Sequence, residues 1–554
     1  MMQENLTEFI LKTIRNNWSI TALTDYKGDS YSYSDVAGHI VHLHARFEVY
    51  GIKPGDKVAL LGKNSAHWGI SYLAVITYGA VVVPILPDFK PNDVHHIVKH
   101  SGARLMFAAD TLFDGLDPDK MNNGLLGIVS LTDFSVLYEK AEKPLSNHAE
   151  EIENVYQRKY PYGVQADTLH LTAIPNSELA VLSYTSGTTG FTKGVMLTHN
   201  NLTANVVYAN NNMPLEPGDA IVSFLPLAHA YGCAFEFLWP FTLGCHITFL
   251  TKTPSPQIIL DAFRKIKPRL VLAVPLIIEK IYKKRILPEI EKPHIKALLK
   301  TPGINKLIHK KIRKKLVDVF GGNFHEIVIG GAPLNPEVEK FLNDIGFPYS
   351  IGYGMTECAP LISYANAKNT RLGASGKAVD TLELKIDSDN PYQKPGEIMV
   401  RGENVMPGYY NNKEATKNAF DDEGWLRTGD LGLTDKDGYV YIKGRSKSII
   451  LGPSGQNIYP EEIEAKLNNK AYVQESLIIE RKGILEALVY PDYEATDQMG
   501  IREGDLVDIL EHYKKDLNKE LPSYMNIGRM KIVPEEFEKT PKKSIKRFLY
   551  TMDQ

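Results

Sequence analysis

The chain has 554 residues, and at about 150 residues per domain this length predicts several domains or subdomains. Its 43% hydrophobic and 23% charged residues lie in the ordinary globular range and exclude an intrinsically disordered chain. A formal net charge of −3 gives no field strong enough to favour nucleic acid as the main partner. The three cysteines are too few for a disulfide framework or a clustered zinc site, so we expect a reducing compartment.

The N-terminus and the apolar stretches predict a soluble, cytoplasmic protein. Residues 1–10 lack the basic start and apolar core of a signal peptide. The longest apolar stretch, from about Tyr72 to Leu86, falls short of the roughly 18 residues that a membrane span needs. The basic stretch from His309 to Lys315 is typical of a solvated helix face rather than of a membrane or nucleic-acid patch.

The first hundred residues alternate between helix and strand patterns. Ser34 is typical of a helix N-cap, and the amphipathic run behind it ends near Gly51. A short buried strand from Val58 to Leu61 follows, then a helix from about Ala66 to Tyr78 and the β-branched run 80–83. Strand, helix and strand at this spacing predict βαβ units in a mostly parallel sheet.

The rest of the chain predicts an α/β fold in two parts. The strand and helix pattern recurs in three segments, 178–210, 221–275 and 326–351. From about Leu382 to Ile442 the sequence changes to short alternating runs broken by Gly and Asp, which indicates a β-rich subdomain. We therefore expect a large N-terminal domain over residues 1–445 and a small α+β C-terminal domain over residues 446–554.

A loop rich in glycine and hydroxyl side chains follows the apolar run that ends near Leu182. Glycines permit tight turns that expose backbone N–H groups to an anion, and the hydroxyl groups can donate to phosphate oxygens. A flexible connector would have a similar composition, and a P-loop is disfavoured because a glycine follows Lys193. The candidate phosphate contacts are Thr185, Ser186, Gly187, Thr188, Thr189, Gly190 and Lys193.

The run that starts at Tyr184, Tyr-Thr-Ser-Gly-Thr-Thr-Gly-x-x-Lys-Gly, resembles the signature of the adenylate-forming superfamily. This superfamily contains acyl-CoA synthetases, luciferases and peptide-synthetase adenylation domains. A second similar motif is Leu225-Pro-Leu-Ala-His-Ala-Tyr-Gly232, and the resemblance places its His229 at the junction of the acyl and phosphate sites. Taken alone, this histidine would more often be a packed core residue.

Two glycine-rich motifs further along the chain resemble the adenine site of the same superfamily. The turn Gly331, Ala332 and Pro333 would lie against one face of the base, and Tyr353, between Gly352 and Gly354, would stack on the other. In the motif that contains Tyr353, the resemblance implies that Thr356 contacts phosphate and that Glu357 holds Mg²⁺. Without the motif, Glu357 would be an ordinary surface carboxylate.

Three C-terminal motifs follow in the order of the superfamily. The resemblance assigns Asp430 to the ribose hydroxyls and Arg445 to ribose or phosphate. It places Lys447 at the hinge about which a mobile C-terminal domain turns, and Gly455 beside the pantetheine tunnel for coenzyme A.

The last motif departs from the pattern of the superfamily, which is similar to Thr-x-x-x-Lys-Ile-x-Arg. Counted from Thr540, the position of the lysine that contacts the reacting carboxylate holds Ser544, and a serine supplies no positive charge. Three hypotheses follow: Lys543 replaces the lysine, adenylation is slow while thioester formation persists, or the protein is a catalytically impaired nucleotide- or acyl-binding protein.

The resemblance as a whole implies an AMP-forming ligase that uses ATP, Mg²⁺ and coenzyme A. The segment 405–412 and the turn that ends at Leu334 are most similar to long-chain fatty acyl-CoA synthetases, so the expected acid is a fatty acid. Alternatives are an acyl carrier protein as acceptor, or a fatty acyl-AMP ligase that stops at the adenylate. A long-chain substrate would also be compatible with peripheral contact with a membrane.

Overall fold

The computed structural model describes residues 1–121, 123–140, 142, 144–186, 192–252, 255–451, 457–481, 483–540 and 545–551. Strands and helices alternate through most of the first 350 residues, which confirms the α/β class. Within those ranges no helix combines the length and the apolar character that crossing a bilayer requires.

The central element is an eight-stranded sheet in which five of the six inner strands are parallel. Alternate residues of its strands enter two different apolar clusters, for example Val58 and Leu60 on one face and Ala59 and Leu61 on the other. Both faces are therefore buried, which explains the continuous apolar runs of these strands. In spatial order the strands are Gly408–Tyr409, Thr192–Thr198, Leu179–Ser186, Val81–Ile85, Lys57–Leu61, Leu105–Ala108, Gly127–Ser130 and Val136–Glu139.

Two smaller sheets continue the α/β architecture. A four-stranded sheet has the order Ala220–Ser223, His246–Phe249, Thr21–Asp25 and Ser30–Ser32. A parallel three-stranded sheet consists of Leu270–Ala273, Glu326–Ile329 and Tyr349–Ile351. The backbone N–H of Arg269 donates to the Ala220 carbonyl at 3.0 Å and joins the two sheets.

Helices pack around these sheets. The helices before residue 250 are Leu6–Asn16, Tyr33–Val49, Ala66–Tyr78, Pro91–Ser101, Asp110–Phe113, Ala149–Lys159, His199–Asn212, Ala230–Gly232 and Trp239–Leu243. Those from residue 250 to 345 are Pro256–Ile266, Pro275–Ile281, Leu287–Ile290, Pro293–Leu299, Ile304–Val319 and Pro336–Asp344. Two segments, Cys233–Leu238 and Tyr282–Ile286, have the wider π-helical turn.

The β-rich subdomain predicted from about Leu382 to Ile442 is present, and antiparallel strands already begin at Tyr353 and continue to Arg445. A three-stranded sheet consists of Tyr353–Gly354, Leu361–Tyr364 and Lys377–Ala378. A four-stranded sheet has the order Leu382–Asp387, Gly396–Gly402, Leu426–Thr434 and Val440–Arg445, with the helix Lys413–Ala419 before its third strand.

The residues after 449 have apolar clusters of their own. Their strands are Ile450–Leu451, Asn457–Ile458, Val473–Arg481, Ile484–Pro491 and Ile527–Ile532. Their helices are Pro460–Asn468, Tyr493–Gln498, Glu503–Glu520 and Phe548–Thr551.

Two local predictions were wrong and have simple physical reasons. The N-cap of the second helix is Ser32, because its side chain accepts from the Asp35 N–H and the Asp35 carboxylate accepts in return, whereas Ser34 lies inside the first turn. Residues 178–210 are an antiparallel hairpin followed by a helix, not a βαβ unit. Other elements match closely, and the predicted helix Ala66–Tyr78 has the observed bounds.

We predict that Arg547→Met loosens the C-terminal residues locally. Arg547 contacts the buried Glu464 carboxylate at 2.5 Å, and burial raises the pKa of Glu464. Removing one partner of a buried ion pair costs about 3 kcal/mol because the other charge stays buried. Amide hydrogen exchange in the strand Val473–Arg481 should accelerate in the full chain. The double variant Arg547→Met, Glu464→Gln should recover much of the protection from exchange, because no charge is left buried. Unchanged exchange in Arg547→Met would contradict a role of this ion pair in holding the strand.

Candidate active site

The predicted phosphate loop joins two antiparallel strands. In the hairpin formed by Leu179–Ser186 and Thr192–Thr198, Thr185 lies directly opposite Lys193, so the two ends of the loop are adjacent. Neither residue is fully buried. Gly187, Thr188, Thr189, Gly190 and the side chain of Ser186 lie outside the described residues, and their phosphate contacts stay predictions.

Lys193 and Glu357 both contact one aromatic side chain, Tyr409. The Lys193 Nζ lies 4.9 Å from the centre of the Tyr409 ring. The Tyr409 hydroxyl donates to Glu357 Oε1 at 2.9 Å. Burial is the main cause that raises the pKa of Tyr409, and the nearby carboxylate adds to it, so the phenol stays protonated as a donor. The predicted phosphate lysine and the predicted metal ligand are thus brought together.

Thr356 and Glu357 lie in the short 3₁₀ turn Thr356–Cys358. Thr356 is buried, whereas Glu357 is partly exposed. The Glu357 carbonyl accepts from the Met406 N–H at 2.8 Å. In the described part of the chain, no cluster of three or more His, Cys, Asp or Glu side chains could hold a metal ion. One carboxylate fits a magnesium ion that takes its remaining ligands from phosphate and water.

Two buried asparagines hold the Glu357 turn and the segment near Met406, and sequence reasoning missed both. They belong to the helix His199–Asn212. The Asn201 amide donates to the carbonyls of Glu403 and Val405 at 2.8 and 2.9 Å. The Asn205 amide donates to the Cys358 carbonyl at 3.3 Å, and its oxygen accepts from the Leu361 N–H at 3.1 Å. Asparagine is a poor helix former, so several of them in an otherwise apolar helix are a signal of buried polar contacts.

The predicted adenine turn lies at the carboxyl end of the strand Glu326–Ile329, next to that of Tyr349–Ile351. Ligands bind at this edge of open parallel sheets. Gly331 has a φ of 85°, which favours glycine, and Ala332 and Pro333 are exposed. A Cβ at Gly354 would lie 2.2 Å from the Pro360 carbonyl oxygen, so this backbone approach requires glycine. Gly352 lies just before the other predicted adenine contact, Tyr353.

Tyr353, Asp430 and Arg445 form a connected group. The buried Tyr353 donates its hydroxyl to Asp430 Oδ2 at 2.7 Å. Arg445 lies opposite Asp430 in the neighbouring strand, and its Nε is 2.8 Å from Asp430 Oδ1. The Asp430 side chain is 7% exposed and that of Arg445 63%. Burial outweighs the attraction of Arg445 and raises the pKa of Asp430. A ribose that reached Asp430 would therefore meet a carboxylate that two donors hold in place.

His229 lies beside a small, mostly apolar cavity. It is partly exposed and precedes the helical segment that runs to Leu238. The cavity touches the strand Leu179–Ser186 through Ser183 and the residue after the Glu357 turn through Ala359. From the segment around His229 it is lined by Leu227, Ala228, Ala230, Cys233, Ala234 and Leu238. Phe235 and Phe237 of the same segment are buried in the core. The apolar run after His229 therefore lines a cavity and also packs the core.

The buried carboxylate of Glu236 fixes the wall of this cavity. Glu236 is fully buried in the π-helical segment, and its Oε2 accepts from the N–H groups of Phe224 and Leu225 at 2.9 Å each. The Ser223 hydroxyl also lies close to this carboxylate, and no ion-pair partner of Glu236 is found among the described residues. Burial raises the pKa of Glu236 well above its ordinary value.

The C-terminal candidates are described only in part. Lys447 is exposed in the 3₁₀ turn Ser446–Ser448, directly after Arg445. Gly455, Lys543 and Ser544 lie outside the described residues. The last motif is nevertheless anchored on both sides, because Lys539 and Ile545 form an antiparallel bridge and Arg547 pairs with Glu464.

Comparisons with known proteins agree with this arrangement. The model of the AMP-binding enzyme family matches residues 12–410, and that of the AMP-binding enzyme C-terminal domain matches residues 447–552. The long-chain-fatty-acid–CoA ligase FadD15 of Mycobacterium bovis is 28% identical over 90% of this chain and 86% of its own. The chloroplastic long-chain-fatty-acid–[acyl-carrier-protein] ligase AEE15 of Arabidopsis thaliana is 26% identical over 84% of this chain and 73% of its own.

The fold also matches solved structures over nearly its whole length. The ATP-bound crystal structure of MatB from Rhodopseudomonas palustris has a TM-score of 0.76 and covers 99% of this chain and 98% of its own. Its sequence identity is 22%, so this likeness concerns the fold.

We predict that Glu236→Gln is stabilising in a pH-dependent way. A carboxyl whose pKa is raised by folding favours the folded state most when it is protonated. Its contribution to the free energy of unfolding is therefore fully present at acid pH and is lost as pH rises through the folded pKa. A neutral glutamine does not titrate and can still accept both N–H groups. The melting temperature of the variant relative to wild type should therefore increase as pH rises above the ordinary glutamate range. A difference that does not change with pH would contradict a raised pKa.

Proposed function

This chain belongs to the AMP-binding enzyme family, and we propose that within it the protein is a long-chain fatty acid–CoA ligase. The broader activity, that of an AMP-forming acid–thiol ligase, follows from the family and from relatives named as CoA ligases. The observation that carries the proposal is the connection of three parts. The Lys193 end of the phosphate loop, the Glu357 turn and the apolar cavity beside His229 are contiguous.

In the first half-reaction the acid's carboxylate oxygen attacks the α-phosphorus of ATP, a new P–O bond forms, and the bond to pyrophosphate breaks. Both reactants are anions, so the protein has to position them and offset their charge. We assign the phosphates of ATP to the loop that ends at Thr185 and Lys193, with Thr356 beside it, and magnesium, which enters with ATP, to Glu357. Bound magnesium would supply positive charge to the leaving pyrophosphate.

The nucleoside part of ATP fits the second group of residues. We assign adenine to the turn at Gly331 and the ring of Tyr353, because glycine backbone permits close approach of the base and an aromatic ring can stack on it. The ribose hydroxyls would donate to Asp430, which Tyr353 and Arg445 already orient.

In the second half-reaction the sulfur of coenzyme A attacks the carbonyl carbon of the acyl-adenylate, and AMP leaves. We propose that the residues after Lys447 turn to bring Gly455 and the thiol arm to the carbonyl. The thiol loses its proton to solvent when the thioester forms. No covalent acyl-enzyme is required. The protein would act in the cytoplasm, and a long-chain acid would allow contact with a membrane surface.

The acid is proposed to be a long-chain fatty acid because FadD15, whose name states that substrate class, aligns over most of both chains. The second candidate is a ligase that hands the acyl group to an acyl carrier protein, and its support is the likeness to AEE15. Both candidates share the first half-reaction, so only the acceptor distinguishes them.

The proposal predicts palmitoyl-CoA and AMP from palmitate, ATP, Mg²⁺ and coenzyme A. Pyrophosphate release should depend on the acid, and thioester formation should depend on coenzyme A. Octanoate and 4-coumarate at equal concentrations serve as competing acids, and an acyl carrier protein bearing phosphopantetheine as the competing acceptor. A clear preference for 4-coumarate would overturn the assigned acid, and transfer to the carrier protein alone would favour the second candidate.

The Ser544→Lys variant decides what replaces the missing lysine. A lysine that acts in the transition state is typically worth a factor of about 100 or more in rate. If Lys543 fills the role, wild type should be active, the new lysine should change the rate of pyrophosphate release little, and Lys543→Ala should abolish it. A silent wild type beside an active Ser544→Lys variant would identify an impaired member of the family. ATP binding without turnover in both proteins would support the binding-protein hypothesis.

A further inference from the structure

We propose that Tyr409 is a positioning residue that holds Lys193 and Glu357 apart and orients the Glu357 carboxylate for the magnesium ion of MgATP. This inference rests on the proposed function, because that function assigns phosphate to Lys193 and magnesium to Glu357. Neither the family resemblance nor the comparisons assign a role to Tyr409.

The first argument is the position of the side chain. Gly408 and Tyr409 add a two-residue antiparallel strand to the phosphate-loop strand, with Tyr409 opposite Val195. The next residue continues the attachment, because the Tyr410 N–H donates to the Gly194 carbonyl at 2.8 Å. The backbone of Tyr409 is therefore fixed to the strand that carries Lys193. Its partner there, Val195, lies two residues after Lys193.

The second argument is that the phenol restrains the carboxylate. Among the described residues, the Glu357 carboxylate accepts one side-chain hydrogen bond, from the Tyr409 hydroxyl at 2.9 Å. In the same part of the chain, no cationic side chain lies within ion-pair distance of this carboxylate. A ligand carboxylate whose one oxygen is held by a donor keeps its other oxygen oriented for a metal. The backbone of Glu357 is fixed separately, through Met406, so the hydroxyl controls the side chain alone.

The third argument is electrostatic. A lysine and a glutamate this close to one phenol would form a direct ion pair if the ring were absent, and each charge would then be offset before ATP bound. The ammonium lies 4.9 Å from the centre of the ring and the carboxylate lies at its hydroxyl, so both charges contact the phenol rather than each other. The ammonium is held by the ring face. Both charges thus stay available, one for phosphate and one for magnesium.

The test measures nucleotide binding to the full chain by calorimetry, without acid or coenzyme A, so that it does not depend on turnover. Wild type should bind MgATP more tightly than ATP in EDTA. Tyr409→Phe keeps the ring and removes the donor, so it should lose about tenfold in MgATP affinity while its affinity for metal-free ATP stays unchanged. Tyr409→Leu removes the spacer as well, and its affinity for metal-free ATP should also fall.

The matched control is Tyr410→Phe, the neighbouring tyrosine, whose ring lies near Lys57 and His100 and should leave both affinities at wild-type values. Wild-type magnesium dependence in Tyr409→Phe would overturn the proposal. If Tyr409→Phe also changes the stability of the protein, a double-mutant cycle with Glu357→Gln isolates the coupling between the two side chains. In the glutamine background the Phe substitution should have no further effect on MgATP binding, and an additive loss would contradict action through Glu357.

The outcome also separates this inference from the proposed function. If wild type binds ATP equally well with and without magnesium, the assignment of Glu357 itself is wrong, and the role of Tyr409 fails with it. If wild type prefers MgATP but Tyr409→Phe behaves like wild type, Glu357 keeps its role and the positioning role alone is rejected.

Discussion

The candidate site depends on one backbone contact, the antiparallel pairing of Gly408 and Tyr409 with the phosphate-loop strand Thr192–Thr198. This pairing joins the antiparallel unit to the edge of the large parallel sheet. It brings the strand that carries Lys193 within reach of the Glu357 turn, whose carbonyl is held by Met406. The pairing thus places the residues assigned to phosphate beside those assigned to magnesium.

The helix after the phosphate loop reinforces the same junction. Asn201 and Asn205 use their amides to hold both the 403–405 backbone and the end of the Glu357 turn. Buried amides are costly unless they are satisfied, so a fully paired network favours one arrangement of these segments. The chemistry of joining two anions requires such rigidity, because its main demand on the protein is fixed charge at fixed positions.

Much of the fold could be predicted from sequence because local patterns determined it. Buried strands next to amphipathic helices have a clear periodicity, and the helix Ala66–Tyr78 was predicted at its observed bounds. The site residues were found through motifs, and the structure brings Tyr353 to Asp430 and Lys193 close to Glu357 through Tyr409. Tyr409 itself was not predicted, since its role depends on pairing between strands more than 200 residues apart in sequence, which no local pattern encodes.

The most direct test of the account follows the oxygen atoms of palmitate labelled with ¹⁸O in both carboxyl positions. If the carboxylate attacks the α-phosphorus and the thiol then displaces AMP, one labelled oxygen stays in the thioester and one appears in the phosphate of AMP. Mass spectrometry of the products with ATP and coenzyme A should therefore find one ¹⁸O in each AMP. Label in inorganic phosphate, with ADP as the nucleotide product, would contradict an acyl-adenylate and with it the central claim.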